Sequence, residues 1–475
     1  MVVHLSNQNT FCMQLSHNDN NEISLKRYEA MLKSNRVVFF DSNEFENIIH
    51  YYLDNGKIAK AKKAVALGLT QHPSSIILKL LNIEIMVFDD DLDKAEKELS
   101  QLQSLEPNNE EIYIQKASIL SKRNKHETAI MLLQKALKLA ADKADVHALL
   151  GMEYLFMDDF ENAKSQFMLC LKHDPDDYSS LYNTINCFNF LEQTEGAIEF
   201  LNEYLEKNPY CEVAWHQLGK QYCETDDLKK ALAAFDFAII SDDTFVGAYI
   251  EKGKVLEKLG RYNDAIENYS ITLELEDPTS YALLHIGKCF EKLGDKTNAL
   301  HYYKKTVNED PLLDKGWIAI TDFYFSSKAY QKALYYINKA LEIDFQNITY
   351  WKRYAKINYR LDLLEEAELG YRKTLELGDY DINTWIERGD ILLKLGEINA
   401  TITCMDQAME LYPENAEIFI RLAGLYYLKN LESKGNYYFE NALKLQPDYY
   451  IIFEELFPNL IDSVAVKKIN ANYRK

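Results

Sequence analysis

Apolar residues along most of the chain recur three and four apart, as in Ala231, Leu232, Phe235, Ala238 and Ile239, which is the period of a helix with one buried face. Pro, Gly, Asn and Asp break these stretches at regular intervals, and Pro cannot continue a helix, so the pattern predicts short helices joined by tight turns. The breaks share their spacing with the apolar positions. An alanine recurs every 34 residues at Ala61, Ala95, Ala129, Ala163, Ala197, Ala231, Ala265, Ala299, Ala333 and Ala367, and Thr401 and Gly435 close the series. Counted from Ser42 as position 1, the template fits twelve consecutive times to Tyr449 without an insertion.

Other template positions carry their own residue types. Position 8 is small in Ala117, Gly151, Gly219, Gly253, Gly287, Ala355, Gly389 and Ala423, and is expected to face the small residue at position 20 where two helices cross closely. Position 4 is bulky, with Phe45, Tyr113, Trp215, Tyr249, Trp317, Trp351, Trp385 and Phe419, and position 11 adds Tyr52, Tyr154, Tyr222, Phe290, Tyr324 and Tyr426. Position 15 offers turn residues (Gly56, Asn124, Asp226, Gly260, Gly294, Gly396), and position 32 is Pro in seven repeats, from Pro73 to Pro447. Each unit therefore reads as two antiparallel helices.

This order of bulky, small, aromatic, Ala, aromatic, Ala and Pro over 34 residues resembles the tetratricopeptide repeat family. The resemblance implies an all-α fold, a right-handed α-solenoid superhelix of about twelve 34-residue helix-turn-helix repeats with terminal capping helices. It divides the chain into residues 1–41, a tail and capping helix, residues 42–449, the tandem repeats, and residues 450–475, the C-terminal capping helices that a solenoid end needs. Ile49, Ile83 and Ile185 at position 8, with Leu102 and Tyr204 at position 27, predict more open packing in repeats 1, 2 and 5.

Composition narrows the function. With 53 basic against 74 acidic residues the formal net charge is −21, which argues against nucleic acid and anionic membrane surfaces as partners. No run approaches the roughly 20 apolar residues that cross a bilayer, so membrane insertion is not expected. Seven scattered cysteines without a C-x-x-C pair indicate neither a disulfide framework nor a zinc site, and Met1 to Asn20 lacks the features of a secretory signal. The expected setting is cytoplasmic. No phosphate-binding loop, nucleophile elbow or H-E-x-x-H motif is present, so no enzyme activity, cofactor or metal is expected.

Candidate binding residues come from the face that the resemblance assigns to the groove, positions 2, 5, 6, 9, 12 and 13. Lys220, Lys254 and Lys288 occupy position 9 of successive repeats as a basic ladder, although Glu251, Glu257 and Glu291 lie close enough along the helices for ordinary surface pairs. In repeat 10, Lys352, Arg353, Lys356 and Arg360 share a stripe with Tyr359, to be neutralised either by Asp322, Glu387 and Asp390 on adjoining helices or by an acidic ligand. In repeat 5, Tyr182, Asn183, Asn186 and Asn189 line an uncharged face whose amides suit a peptide backbone. These features read as a non-catalytic adaptor that holds a protein or peptide segment, with an acidic segment as one candidate. The alternative is a structural spacer or self-assembling scaffold using its ends or convex face.

Overall fold

The computed structural model describes residues 18–34, 38–275 and 279–473, so the readings made for Cys12 and for the extreme N-terminus lie outside the described residues. Among the described residues the chain is helical without a strand, and it forms two compact units, Met1–Glu251 and Lys252–Lys475.

In the first unit α1 (Asn18–Ser34) precedes six helix pairs: α2 (Ser42–Asp54) with α3 (Ile58–Gln71), α4 (Ile76–Phe88) with α5 (Leu92–Leu105), α6 (Glu110–Lys122) with α7 (His126–Leu139), α8 (Ala144–Phe156) with α9 (Phe160–His173), α10 (Tyr178–Phe190) with α11 (Thr194–Lys207), and α12 (Glu212–Glu224) with α13 (Leu228–Ser241). The unit boundary falls inside α14 (Val246–Lys258). The second unit holds α15 (Tyr262–Leu275) and the pairs α16 (Ser280–Lys292) with α17 (Lys296–Glu309), α18 (Asp314–Ser326) with α19 (Tyr330–Ile343), α20 (Ile348–Arg360) with α21 (Leu364–Glu376), α22 (Ile382–Lys394) with α23 (Ile398–Leu411), and α24 (Ala416–Leu428) with α25 (Glu432–Leu445). It ends with α26 (Tyr450–Leu456) and α27 (Val464–Tyr473).

The first helices of successive pairs start 34 residues apart, from Ser42 to Ala416. Position 15 of the template adopts a left-handed backbone in every pair, with φ from +56° to +81°, including the unfavoured Glu192 and Lys328. The next residue returns its N–H to a carbonyl five residues back, as in Lys125 to Leu120 (2.8 Å) and Arg261 to Leu256 (2.9 Å), which closes the first helix and reverses the chain.

One packing expectation is corrected. Most position-8 glycines chiefly accommodate an aromatic ring of the second helix: a Cβ on Gly151 or Gly219 would lie 2.5 Å from Phe167 or Phe235, and one on Gly253 or Gly287 would lie 2.6 Å from Tyr269 or Tyr303. Gly389 instead meets Met405, and the position-20 alanine is close in repeat 8, where the Cβ on Gly287 would also lie 3.4 Å from the Ala299 carbonyl oxygen. Small does face small in repeat 10, where Gly370 approaches Ala355. The bulky position 4 has a second task. Trp215, Trp317 and Trp351 each donate Nε1–H to the carbonyl six residues upstream, in Pro209, Pro311 and Phe345 (2.8–2.9 Å), pinning the turn between repeats.

Pairs α4/α5 and α10/α11 are more loosely packed than α8/α9 or α12/α13, in line with the branched and bulky residues noted in repeats 2 and 5. At the N-terminal side α1 buries Tyr28 and Met31 against Phe40, Phe45 and Tyr52, and at the C-terminal side Phe453, Phe457, Val466 and Ile469 join the core of α24 and α25.

Candidate peptide-binding faces

In the first unit the first helices enclose a cavity of about 830 Å³. α6 contributes the small Ala117, Ser118 and Ser121 along it together with Ile114, Gln115 and Lys122, whereas α4 presents Ile85 and Phe88, and α8 presents Leu149, Met152 and Phe156. Phe88, Leu149 and Phe156 keep 46%, 39% and 53% of their surface exposed, so the hollow offers apolar side chains to a guest. At its edge His126 Nδ1 lies 2.9 Å from the buried Glu153 carboxylate, and the His126 ring packs 5.3 Å from Phe156. Lys122 closes the end of α4 by donating to the carbonyls of Val87 (2.5 Å) and Phe88 (3.5 Å). None of these residues stood among the sequence candidates. The signal was there in Leu149, Met152 and Phe156, apolar at groove positions 6, 9 and 13 of one helix.

The amide face of α10 is partly consumed by its neighbours. Asn189 accepts a hydrogen bond from Gln221 Nε2 (3.1 Å), and Asn183 Nδ2 lies 3.8 Å from Met152 Sδ. Asn186 and Tyr182 remain exposed beside them. Burial pushes the Tyr182 hydroxyl above its ordinary range, opposed by a hydrogen bond with Gln217.

The three ladder lysines divide between the units, Lys220 in the first and Lys254 and Lys288 in the second. Lys220 is exposed, and Lys254 sits 5.3 Å above the Tyr281 ring. Two of the acids assigned to them hold hydrogen bonds elsewhere: Glu257 accepts from Tyr269 (2.6 Å) and His285 (2.7 Å), and Glu291 accepts from Tyr303 (2.6 Å). Burial alone would raise the Glu257 carboxyl, but these two hydrogen bonds, with the charges of His285 and Lys288, hold it below its ordinary value.

In the second unit the four cations of α20 separate into two kinds. Lys352 is held by Asp379 (3.2 Å) and Asp381 (2.8 Å) from the turn before α22, and Arg353 grips Asp322 through two hydrogen bonds (2.9 and 3.1 Å). Of the three acids expected to neutralise the stripe, only Asp322 does so. Asp390 is taken by Arg421 (2.8 and 2.9 Å), because the next repeat supplies a guanidinium at bidentate distance. Lys356 and Arg360 have no ion pair among the described residues and line a cavity of about 490 Å³ with Phe325, Tyr359, Tyr371, Glu387, Asp390 and Ile391. Tyr359 bonds through its hydroxyl to Lys394, whose ammonium stands 4.5 Å over the ring.

Among the described residues no three His, Cys, Asp or Glu side chains are grouped to hold a metal ion, and no helix is long and apolar enough to cross a membrane. The described cysteines are free thiols.

Comparison with known proteins gives the class of these repeats. Tetratricopeptide repeat family models match residues 110–143, 144–177, 250–313 and 382–415. Together with the 34-residue helix-pair spacing, they show tetratricopeptide repeats at these residues. It is 23% identical over 390 residues to the TPR repeat-containing protein MJ1428 of Methanocaldococcus jannaschii, an alignment covering 76% of this chain and 68% of that one. Among solved structures, the C-terminal part of a TPR repeat-containing protein from Cytophaga hutchinsonii is similar at a TM-score of 0.43 and 15% identity, covering 49% of this chain and 95% of that one. A tetratricopeptide repeat protein from Parabacteroides merdae is similar at a TM-score of 0.39 and 16% identity, covering 52% and 97%.

Proposed function

We propose that the chain is a non-catalytic adaptor that holds a peptide or protein segment against the first helices of its repeats. The observation that carries this reading is the cavity over α6, where Phe88, Leu149 and Phe156 of the neighbouring helices stand exposed beside Ser118 and Ser121, within reach of a guest. Such a hollow anchors a few large apolar residues, and these dominate the affinity of most interfaces. The exposed Lys220, Asn186 and Tyr182 in the first unit, and Lys356, Tyr359 and Arg360 in the second, supply polar contacts along the same kind of face. Lys254, Asn183 and Asn189 add to it while in contact with other side chains of the fold, Lys288 adds a charge near Glu257, and Lys352 and Arg353 chiefly tie neighbouring repeats together. In this reading α1, α26 and α27 act as caps on a repeat array over 42–449, and the protein works in a reducing, cytoplasmic setting where its thiols stay free.

A peptide library displayed on phage and selected on the intact chain tests the proposal. Enriched peptides should lose at least about tenfold in affinity when Ser118→Trp or Ser121→Phe fills the cavity, with the thermal midpoint unchanged. The scaffold alternative is favoured by Tyr210, Leu312 and Tyr380, which stand 81%, 78% and 70% exposed at the inter-repeat turns. It predicts concentration-dependent oligomers by light scattering that ignore the filled cavity.

A further inference from the structure

The cavity in the second unit pairs two cations that have no ion pair among the described residues with one buried carboxylate oxygen that lacks a donor. Lys356 and Arg360 stand one turn apart on α20, and like charges at that spacing repel unless something lies between them. The acid that could have answered them, Asp390, is committed to Arg421. Glu387 also faces the cavity, and its Oε2 is buried with no hydrogen-bond partner. A buried carboxylate oxygen without a donor is costly, so this atom calls for an incoming N–H or O–H. Phe325, Tyr359, Tyr371 and Ile391 make up the remaining wall, largely aromatic and aliphatic.

We propose that this cavity reads one acidic residue of an extended peptide, its side-chain carboxylate seated between Lys356 and Arg360 and its main-chain N–H donated to Glu387. A guest that carries both an anion and a donor a few bonds apart satisfies both halves of the site, and a peptide unit with an Asp or Glu side chain has that arrangement. A bare anion would satisfy the cations and meet repulsion at Glu387. The cavity of about 490 Å³ admits a side chain with its flanking backbone, and Phe325 and Ile391 cover the methylenes of that side chain. The neighbouring Tyr371 hydroxyl is pushed above its ordinary range by burial and by its hydrogen bond to the Glu387 carboxylate, so it keeps its proton and leaves the cavity's charge unchanged across the physiological range, and the Glu387 atom left for a guest is Oε2.

This inference rests on the peptide-holding reading, and its test separates the two. Peptides enriched on the intact chain are resynthesised with each acidic residue changed to Gln, or N-methylated at its own backbone nitrogen, and titrated by fluorescence anisotropy. One acidic residue should prove essential, its change to Gln weakening binding about tenfold or more on the parent protein but less than about threefold on the Lys356→Gln/Arg360→Gln double variant. N-methylation of that residue should weaken binding to the parent and have no effect on Glu387→Leu, which has no acceptor. Urea midpoints of the variants serve as folding controls, and the double variant should hold or rise in stability as repulsion is relieved. If peptides bind but tolerate every acid-to-Gln change, or if inorganic phosphate displaces them while N-methylation is neutral, the inference is overturned and the adaptor reading stands. If no peptide is enriched at all, the adaptor reading itself falls.

Discussion

At the residue scale the most consequential contact is a missing side chain. Gly253 leaves room for the fully buried ring of Tyr269, whose hydroxyl is in turn fixed by Glu257. Gly→Ala inside a helix normally stabilises by about 1 kcal/mol. Here the new methyl would overlap a pinned ring, and overpacking of that kind costs about 1–3 kcal/mol. Gly253→Ala is therefore expected to destabilise, with the urea midpoint as the measurement, and a gain in stability would place the ring elsewhere. Glu257 adds a pH signature. Its folded pKa lies below the unfolded value, so its contribution to stability is present above the unfolded pKa near 4 and is lost as pH falls through the lower folded value. Glu257→Gln should cost about 1–3 kcal/mol at pH 7, as hydrogen bonds to a charged group do, and the difference from the parent should shrink towards pH 3. A constant difference at both pH values would exclude the carboxylate as its source.

At the element scale each helix pair depends on the residue that reverses the chain. Gly, Asn and Asp tolerate the left-handed backbone at position 15, and repeats 5 and 9 place Glu192 and Lys328 there instead. Lys328→Gly is expected to stabilise by up to about 1 kcal/mol, since relief of the left-handed strain outweighs the extra freedom of Gly in the unfolded chain. Denaturation curves decide its sign. The turn between α21 and α22 departs from the others, with Gly378 in a left-handed conformation at φ +95° and Asp379 and Asp381 gathered on Lys352. Trp385, next to this turn, is the position-4 tryptophan whose Nε1 finds no partner, whereas Trp215, Trp317 and Trp351 each pin a regular turn. Lys352→Gln should accordingly destabilise by about 1 kcal/mol. Lys356→Gln on the same helix should stay within about ±0.5 kcal/mol. Equal midpoints for the two variants would mean that the Asp379–Asp381 anchor carries no stability.

At the scale of the whole molecule, substantial helix contacts within each unit link only helices that are adjacent or next-but-one in the chain. Stability is then close to a sum of repeat and nearest-neighbour terms. Removing one complete repeat, such as residues 144–177, should leave a shorter helical protein with a cooperative melt. Removing α8 alone should not, because α9 would lose the surface that buries Phe167. Circular dichroism and thermal melts of the two deletions give the answer, and equal tolerance of both would show that the repeat is not the folding unit.

The sequence alone determined the helix pairs, their 34-residue register and the reversing position, because all three follow from local conformational preference and periodic burial, which repeat with the residues themselves. Which side chain each glycine accommodates was decided by tertiary packing, since it depends on how two helices rotate about their axes. The same holds for the basic stripe of repeat 10, whose four cations look equivalent in sequence. Asp379 and Asp381 reach Lys352 from an irregular turn, Asp322 reaches Arg353 from the preceding repeat, and Arg421 withdraws Asp390 from the following one. Charges brought together across repeats have no sequence period, so only the folded arrangement singled out Lys356 and Arg360 as the pair left facing a cavity.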